Sequence, residues 1–143
     1  MTWEEAGTQQ AATIGPGFVL LVGAGSDDDE STVRRLADKV VDLRVFADEA
    51  GKMNLSLEDV RGSALIVSQF TLFADMSRGR RPSLLKAGDP KRAEELYLAF
   101  IQRFRQRGIE TQTGSFGADM RVTIDNDGPV TLVLSSDDWP TRV

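Results

Sequence analysis

Ala64-Leu65-Ile66-Val67-Ser68-Gln69-Phe70-Thr71-Leu72 is the stretch on which the reading of this chain turns. Its four leading apolar residues predict a strand. The character changes at Ser68, where hydroxyl and amide side chains follow the apolar run. Polar groups at the end of a buried strand are well placed for a site, because the strand fixes them and the loop exposes them. The plainer alternative is that Ser68 and Thr71 only hydrogen-bond nearby backbone, as such residues often do at strand ends.

Towards the N-terminus, Met53, Leu55 and Leu57 alternate with Asn54, Ser56 and Glu58, the period of a half-buried strand. Asp48–Lys52 reads as a hairpin turn. Leu43, Val45 and Ala47 alternate with Arg44, Phe46 and Asp48, predicting a strand before it. Val33, Leu36, Ala37, Val40 and Val41 recur at helical spacing. Ser26 is the expected cap of that helix, with carboxylates in its first turn. Phe18–Val22 reads as a buried strand between glycines. Thr8–Ile14 has β character and runs into the turn Gly15-Pro16-Gly17.

Towards the C-terminus, Asp75–Ser83 is a polar, arginine-containing loop. Pro90 opens a helix with the apolar stripe Ala93, Leu96, Tyr97, Phe100, Ile101 and Phe104, and Gly108 closes it. Thr111 and Thr113 precede Gly114-Ser115-Phe116-Gly117. Val122 and Ile124 are expected to begin another strand, Asn126–Pro129 to turn, and Val130–Leu134 to form the last strand. Residues 137–143 read as a tail. The whole is expected to be one α/β domain with two main helices; periodicity alone leaves the strand order open.

Composition narrows the chemistry. The chain has 143 residues, 41% of them apolar, which suits one core. No run approaches the roughly 18–20 apolar residues of a membrane span, and the first residues lack the pattern of a secretory signal. A soluble, cytoplasmic protein is expected, with no membrane partner. Cysteine and histidine are both absent. Thiol chemistry, a Ser-His-Asp triad, and thiolate or imidazole metal sites are therefore excluded, and no metal or other cofactor is expected. Any catalysis must use hydroxyls, carboxylates, backbone dipoles or the substrate itself. A net charge of −5 opposes indiscriminate nucleic-acid binding, though not contact through a local basic patch.

Two more segments stand out. Asn126-Asp127-Gly128-Pro129-Val130-Thr131 is either an ordinary turn or a site in which a Gly-Pro pair holds carbonyls in unusual directions. Ser77-Arg78-Gly79-Arg80-Arg81-Pro82-Ser83 is either a solvated loop balancing an acidic protein or a phosphate-backbone contact through Arg78, Arg80 and Arg81.

Taken together, the segments resemble the D-aminoacyl-tRNA deacylase family. The likeness runs from about Thr13 to Ser135. It is carried by Ile14–Gly17, Asp48–Asn54, Val67–Leu72, Gly79–Ser83, Gly114–Ala118 and Asn126–Thr131, in order and spacing. The pair Ser68-Gln69-Phe70-Thr71 and Asn126-Asp127-Gly128-Pro129-Val130-Thr131 is its most specific part.

The resemblance implies a cytoplasmic homodimer with strongly curved sheets and an active site between subunits. The implied reaction is hydrolysis of the ester of a D-aminoacyl-tRNA, and of mischarged glycyl-tRNA. Ser68, Gln69, Phe70 and Thr71 would line the ester, with the N–H groups of Phe70 and Thr71 as an oxyanion hole. Thr71 would be a nucleophile or a water-orienting group. Orientation is preferred, because no base is visible to activate it. The ribose 2′-hydroxyl is expected to assist. Gly128 and Pro129, joined by a cis bond, would reach in from the other subunit and reject an L side chain. Phe116 and Met120 would hold the terminal adenosine; for Phe116, plain core packing is the alternative. The family also carries a strand ahead of the segment that begins here at Met1. Two other readings stay open: an inactive binder of tRNA ends or nucleotides, and a purely structural homodimer.

Overall fold

The computed structural model describes residues 1–77 and 79–136. Its centre is a three-stranded parallel sheet in the order β3-β6-β7, formed by Gly17–Val22, Ser63–Ser68 and Thr111–Thr113. β6 is the middle strand, pairing Phe18 with Ala64 on one side and Thr111 with Ala64 on the other. Parallel neighbours need long crossovers, and these carry the two helices. α1 (Glu30–Val41) lies between β3 and β6, and α2 (Pro90–Gln106) between β6 and β7.

The side chains of β6 alternate between two cores. Ala64 and Ile66 join Val41, Leu96, Phe100 and Phe104 beneath the helices. Leu65 and Val67 join Ala12 on the opposite face, with Trp3, Val19 and Met120 packed against them. That face is covered by an antiparallel sheet in the order β2-β1-β8: Thr8–Ala11, Thr2–Glu5 and Met120–Arg121. The unbroken apolar run of β6 thus follows from burial on both sides. The result is a small mixed α/β domain with two helices and several sheets.

Gly17 opens the β3–β6 ladder opposite Ser63. A Cβ there would stand 1.8 Å from the Ser63 carbonyl oxygen, so only glycine permits this approach. A further hairpin, β4 (Phe46–Ala47) and β5 (Met53–Leu55), closes through the expected Asp48–Lys52 turn. The Asp48 carboxylate accepts the N–H groups of Ala50 and Lys52 at 2.9 and 3.0 Å.

Several expectations are corrected. α1 is capped by Asp29 rather than Ser26: Asp29 Oδ1 accepts the Thr32 N–H at 2.7 Å. Ser26 lies one turn too early, where the Asp28 carboxylate already binds the Gly25 N–H at 2.8 Å. The expected strand Leu43–Ala47 shortens to two residues because the Leu43 N–H still bonds Val40 at the helix end. Its inward residue is Phe46, stacked on Phe18 at 5.0 Å.

Neither Val122–Ile124 nor Val130–Leu134 forms a strand. β8 stops at Arg121: its ladder with β1 pairs Trp3 with Met120 and Thr2 with Arg121 and goes no further. Residues 130–134 are rich in β-formers but have no ladder partner among the described residues. The tail at 137–143 lies outside the described residues.

Candidate active site

All three parallel strands end on the same edge, where α/β sheets commonly hold their ligands. Ser68 is the last residue of β6, opposite Val22 of β3. The chain then makes a 3-10 turn over Phe70–Phe73. It is tied down first by the Gln69 N–H, which donates to the Val22 carbonyl at 2.8 Å. The Leu72 and Ala74 N–H groups close back onto the carbonyls of Gln69 and Thr71. The N–H groups of Phe70 and Thr71 are left with no acceptor among the described residues. Two adjacent peptide donors therefore stand at the surface, in a turn fixed by its neighbours.

The side chains follow the same pattern. The Gln69 amide Nε2 donates to the Thr71 hydroxyl. That hydroxyl keeps its own proton to donate elsewhere. Phe70 is 56% exposed, a large apolar ring presented beside the donors. Ser68 and Gln69 are half-buried, and Thr71 is exposed. None of the four has an ionisable side chain that titrates near neutrality.

Phe116 lies in the loop after β7, packed against the helix-side core with its ring 5.8 Å from that of Tyr97. Tyr97 in turn donates its hydroxyl to the Ile66 carbonyl at 2.8 Å, two residues before Ser68. Burial pushes the Tyr97 phenol up to about 12, so it remains a neutral donor beneath the strand end. The core-packing alternative for Phe116 thus describes its intramolecular contacts. Met120 lies in β8 opposite Trp3, half-buried against the other core.

Gly128 and Pro129 are joined by a cis bond. Their loop is held by Asn126, whose side chain accepts the Val130 N–H at 3.0 Å and donates to the Thr131 hydroxyl at 3.1 Å. Both residues are exposed, and no hydrogen bond among the described residues links them to Ser68–Thr71 of the same chain. The arginine loop is pinched at its base by paired backbone bonds between Asp75 and Ser83, at 2.8 and 2.9 Å. Arg80 and Arg81 are exposed above that pinch, and Arg78 lies outside the described residues.

One neighbour escaped the sequence reading: the Gly23-Ala24-Gly25 turn after β3. Gly23 lies against the Gln69 carbonyl, and both glycines lie against the Phe73 ring. The signal was present as two glycines at a strand end, but only the fold shows what they face.

Fold and site define a class: a small α/β protein with hydroxyl, amide and free peptide donors at the carboxyl end of the central strand of a parallel sheet. Comparison with known proteins makes this specific. The family model described as D-Tyr-tRNA(Tyr) deacylase matches residues 5–135. The chain belongs to that family and, with it, to the hydrolases. A "D-aminoacyl-tRNA deacylase" of Neisseria meningitidis is 50% identical over 139 residues, covering 97% of this chain and 84% of the relative. One from Fervidobacterium nodosum is 54% identical over 123 residues, covering 86% and 83%. Among solved structures, a "c-Myc DNA Unwinding Element Binding Protein" superimposes with a TM-score of 0.84 at 37% identity, covering 95% of this chain and 92% of its own. A probable eukaryotic D-amino acid tRNA deacylase, at TM-score 0.66 and 17% identity, covers 76% and 80% and shares the fold. Among the described residues, no helix is long and apolar enough to cross a membrane.

Proposed function

We propose that this chain hydrolyses the ester linking a D-amino acid to the terminal ribose of tRNA, releasing free tRNA and amino acid. Mischarged glycyl-tRNA is a second substrate. The observation that carries this reading is the pair of unpartnered N–H groups of Phe70 and Thr71 at the end of β6. Water attacks the ester carbonyl, and the oxygen that becomes negative accepts hydrogen bonds from both. Such donors, aimed before reaction, contribute about a hundredfold or more each in related chemistry. Thr71, its hydroxyl fixed by Gln69, orients the water. The ribose 2′-hydroxyl relays the water's proton to the departing 3′-oxygen, which meets the need for proton transfer in a chain without histidine. Phe70 and Phe116 offer aromatic faces for the terminal adenosine, with Met120 nearby in the family pattern.

The working unit is a cytoplasmic homodimer with curved sheets, and its site is completed across the interface. Gly128 and Pro129 of the partner subunit face the amino-acid α-carbon, bind its amino group and exclude an L side chain. The exposure of this loop, and the absence of a hydrogen bond among the described residues from it to Ser68–Thr71 of the same chain, support a role in trans. Arg78, Arg80 and Arg81 contact the acceptor backbone. Residues 1–143 act as one catalytic domain.

Release of amino acid from D-Tyr-tRNA and L-Tyr-tRNA tests the proposal directly. Fast release from the D ester alone is expected. A folded dimer that binds tRNA yet releases neither would replace this reading with that of an inactive tRNA-end binder.

A further inference from the structure

We infer that Gly23 is a positioning residue for the deacylation site, aiming the Phe70 N–H through the peptide that joins Gln69 to Phe70. The inference rests on the oxyanion-hole reading above and adds a residue that reading does not contain. A trans peptide points its carbonyl and its N–H in opposite directions. The only cis bond among the described residues is Gly128-Pro129, so the Gln69–Phe70 peptide is trans. Its carbonyl lies against Gly23, where a Cβ would stand 2.9 Å from the oxygen, closer than real Cβ contacts come. The Phe70 N–H of the same rigid unit therefore points away from β3 and into the open edge. The Gln69 N–H is fixed at the same time by the Val22 carbonyl, and the Gln69 carbonyl by the Leu72 N–H. The Gln69–Phe70 peptide is thus held at its carbonyl, by the Leu72 N–H and against Gly23, while the preceding Ser68–Gln69 peptide is held by Val22.

Gly25 contributes differently. The atoms nearest a Cβ there would be those of the Phe73 ring, at 2.8 and 3.0 Å, and then the Asp28 carboxylate at 3.6 Å. Phe73 is the last residue of the 3-10 turn, so its ring anchors the turn on this seat. A Cβ on Gly23 strikes backbone at 2.9 Å and only crowds the Phe73 ring, at 3.1 and 3.2 Å, whereas a Cβ on Gly25 strikes that ring first, a side chain that can be trimmed. That difference supplies the test. Gly23 does not have the positive φ that would disfavour alanine, so a substitution acts through the contact rather than through backbone strain.

Steady-state deacylation of D-Tyr-tRNA is measured for the full chain, Gly23→Ala, Gly25→Ala, Phe73→Leu and the double variants, alongside thermal melts and the Phe70 amide resonance. Gly23→Ala should lower kcat about tenfold or more with KM within about twofold, since small misplacements at a reacting centre are costly. The Phe70 amide resonance should shift, and Phe73→Leu should not restore the rate. Gly25→Ala should lose less, and Phe73→Leu should restore it. A Gly23→Ala variant with kcat unchanged overturns the inference even if its melting point falls. If Gly23→Ala does not fold, the wild-type Phe70 amide decides instead: in a chain that hydrolyses D-Tyr-tRNA, a Phe70 resonance unmoved by a non-hydrolysable D-aminoacyl-adenosine analogue overturns the inference. A wild-type chain that hydrolyses neither D-Tyr-tRNA nor Gly-tRNA overturns the deacylase reading, whatever the Phe70 resonance does.

Discussion

At Thr71, the Gln69 amide occupies one lone pair of the hydroxyl and leaves its proton free to bond a water. Thr71→Val keeps the shape and removes that bond. It should lower kcat by about tenfold to a hundredfold, while Thr71→Ser stays near wild type, in single-turnover assays. An acid-quenched trap should capture no aminoacyl-enzyme; a captured ester on Thr71 would instead identify it as a nucleophile. Gly17 makes a purely structural demand. Its missing Cβ lets β3 approach the Ser63 carbonyl. Gly17→Ala must push two paired strands apart and should cost roughly 1–3 kcal/mol in denaturant unfolding, as overpacking does.

Helices α1 and α2 are clamped by charge at one end. Arg103 grips Asp38 with two nitrogens, at 2.8 and 3.1 Å. Arg107 reaches Asp38, Asp42 and Glu58 at 3.1, 2.7 and 2.9 Å. The hydrogen bonds from Arg103, then Arg107, hold the Asp38 carboxyl below its ordinary value of 3.8. A carboxyl that ionises more easily in the folded state stabilises above its unfolded value, and that contribution is lost as pH falls through the folded one. Asp38→Asn should therefore destabilise by about 1 kcal/mol at neutral pH, the scale of partly exposed pairs. The two proteins should converge in acid. Asp29 behaves alike at the start of α1. The Thr32 N–H, and then Ser31, lower its carboxyl to about 2, so Asp29 holds the α1 N-terminus above pH 3.8 and releases it as pH falls toward about 2. Asp29→Ala should remove that acid step from the helix signal in circular dichroism.

Over the whole molecule, charge and apolar surface divide the proposed partners. The net charge of −5 leaves tRNA affinity to local cations such as Arg80 and Arg81, both exposed. Charge reversal of both should weaken tRNA binding and reduce the salt slope by about 1.4–1.8, a little under one unit for each lost phosphate contact. An unchanged slope would remove the loop from the binding surface. Ile124, Leu132 and Val133 are 51, 55 and 67% exposed, in the C-terminal segment without ladder partners. If that segment packs on a second copy, Val133→Glu should shift the dimer to monomer in sedimentation experiments and lower deacylation with it.

Both helices, the turn at Asp48–Lys52 and the strand leading to Ser68 were legible because each is specified locally. Their periodicity, caps and turn residues lie within a few positions of one another. The residues proposed for the site stood out for a different reason: Ser68–Thr71 and Asn126–Thr131 carry a family pattern that folding alone does not demand. Sequence periodicity went wrong at Val122–Ile124 and Val130–Leu134, since a strand needs a neighbouring edge and no alternation of residues supplies one. The sequence by itself determined the absence of histidine and cysteine, and with it that any catalysis must use hydroxyls, carboxylates, backbone dipoles or the substrate itself. Only the tertiary structure decided that β6 runs between β3 and β7, that Val22 binds the Gln69 N–H while Gly23 lies against the Gln69 carbonyl, and that two N–H groups have no acceptor among the described residues. Those contacts join residues more than forty positions apart, and it is packing that brings them together.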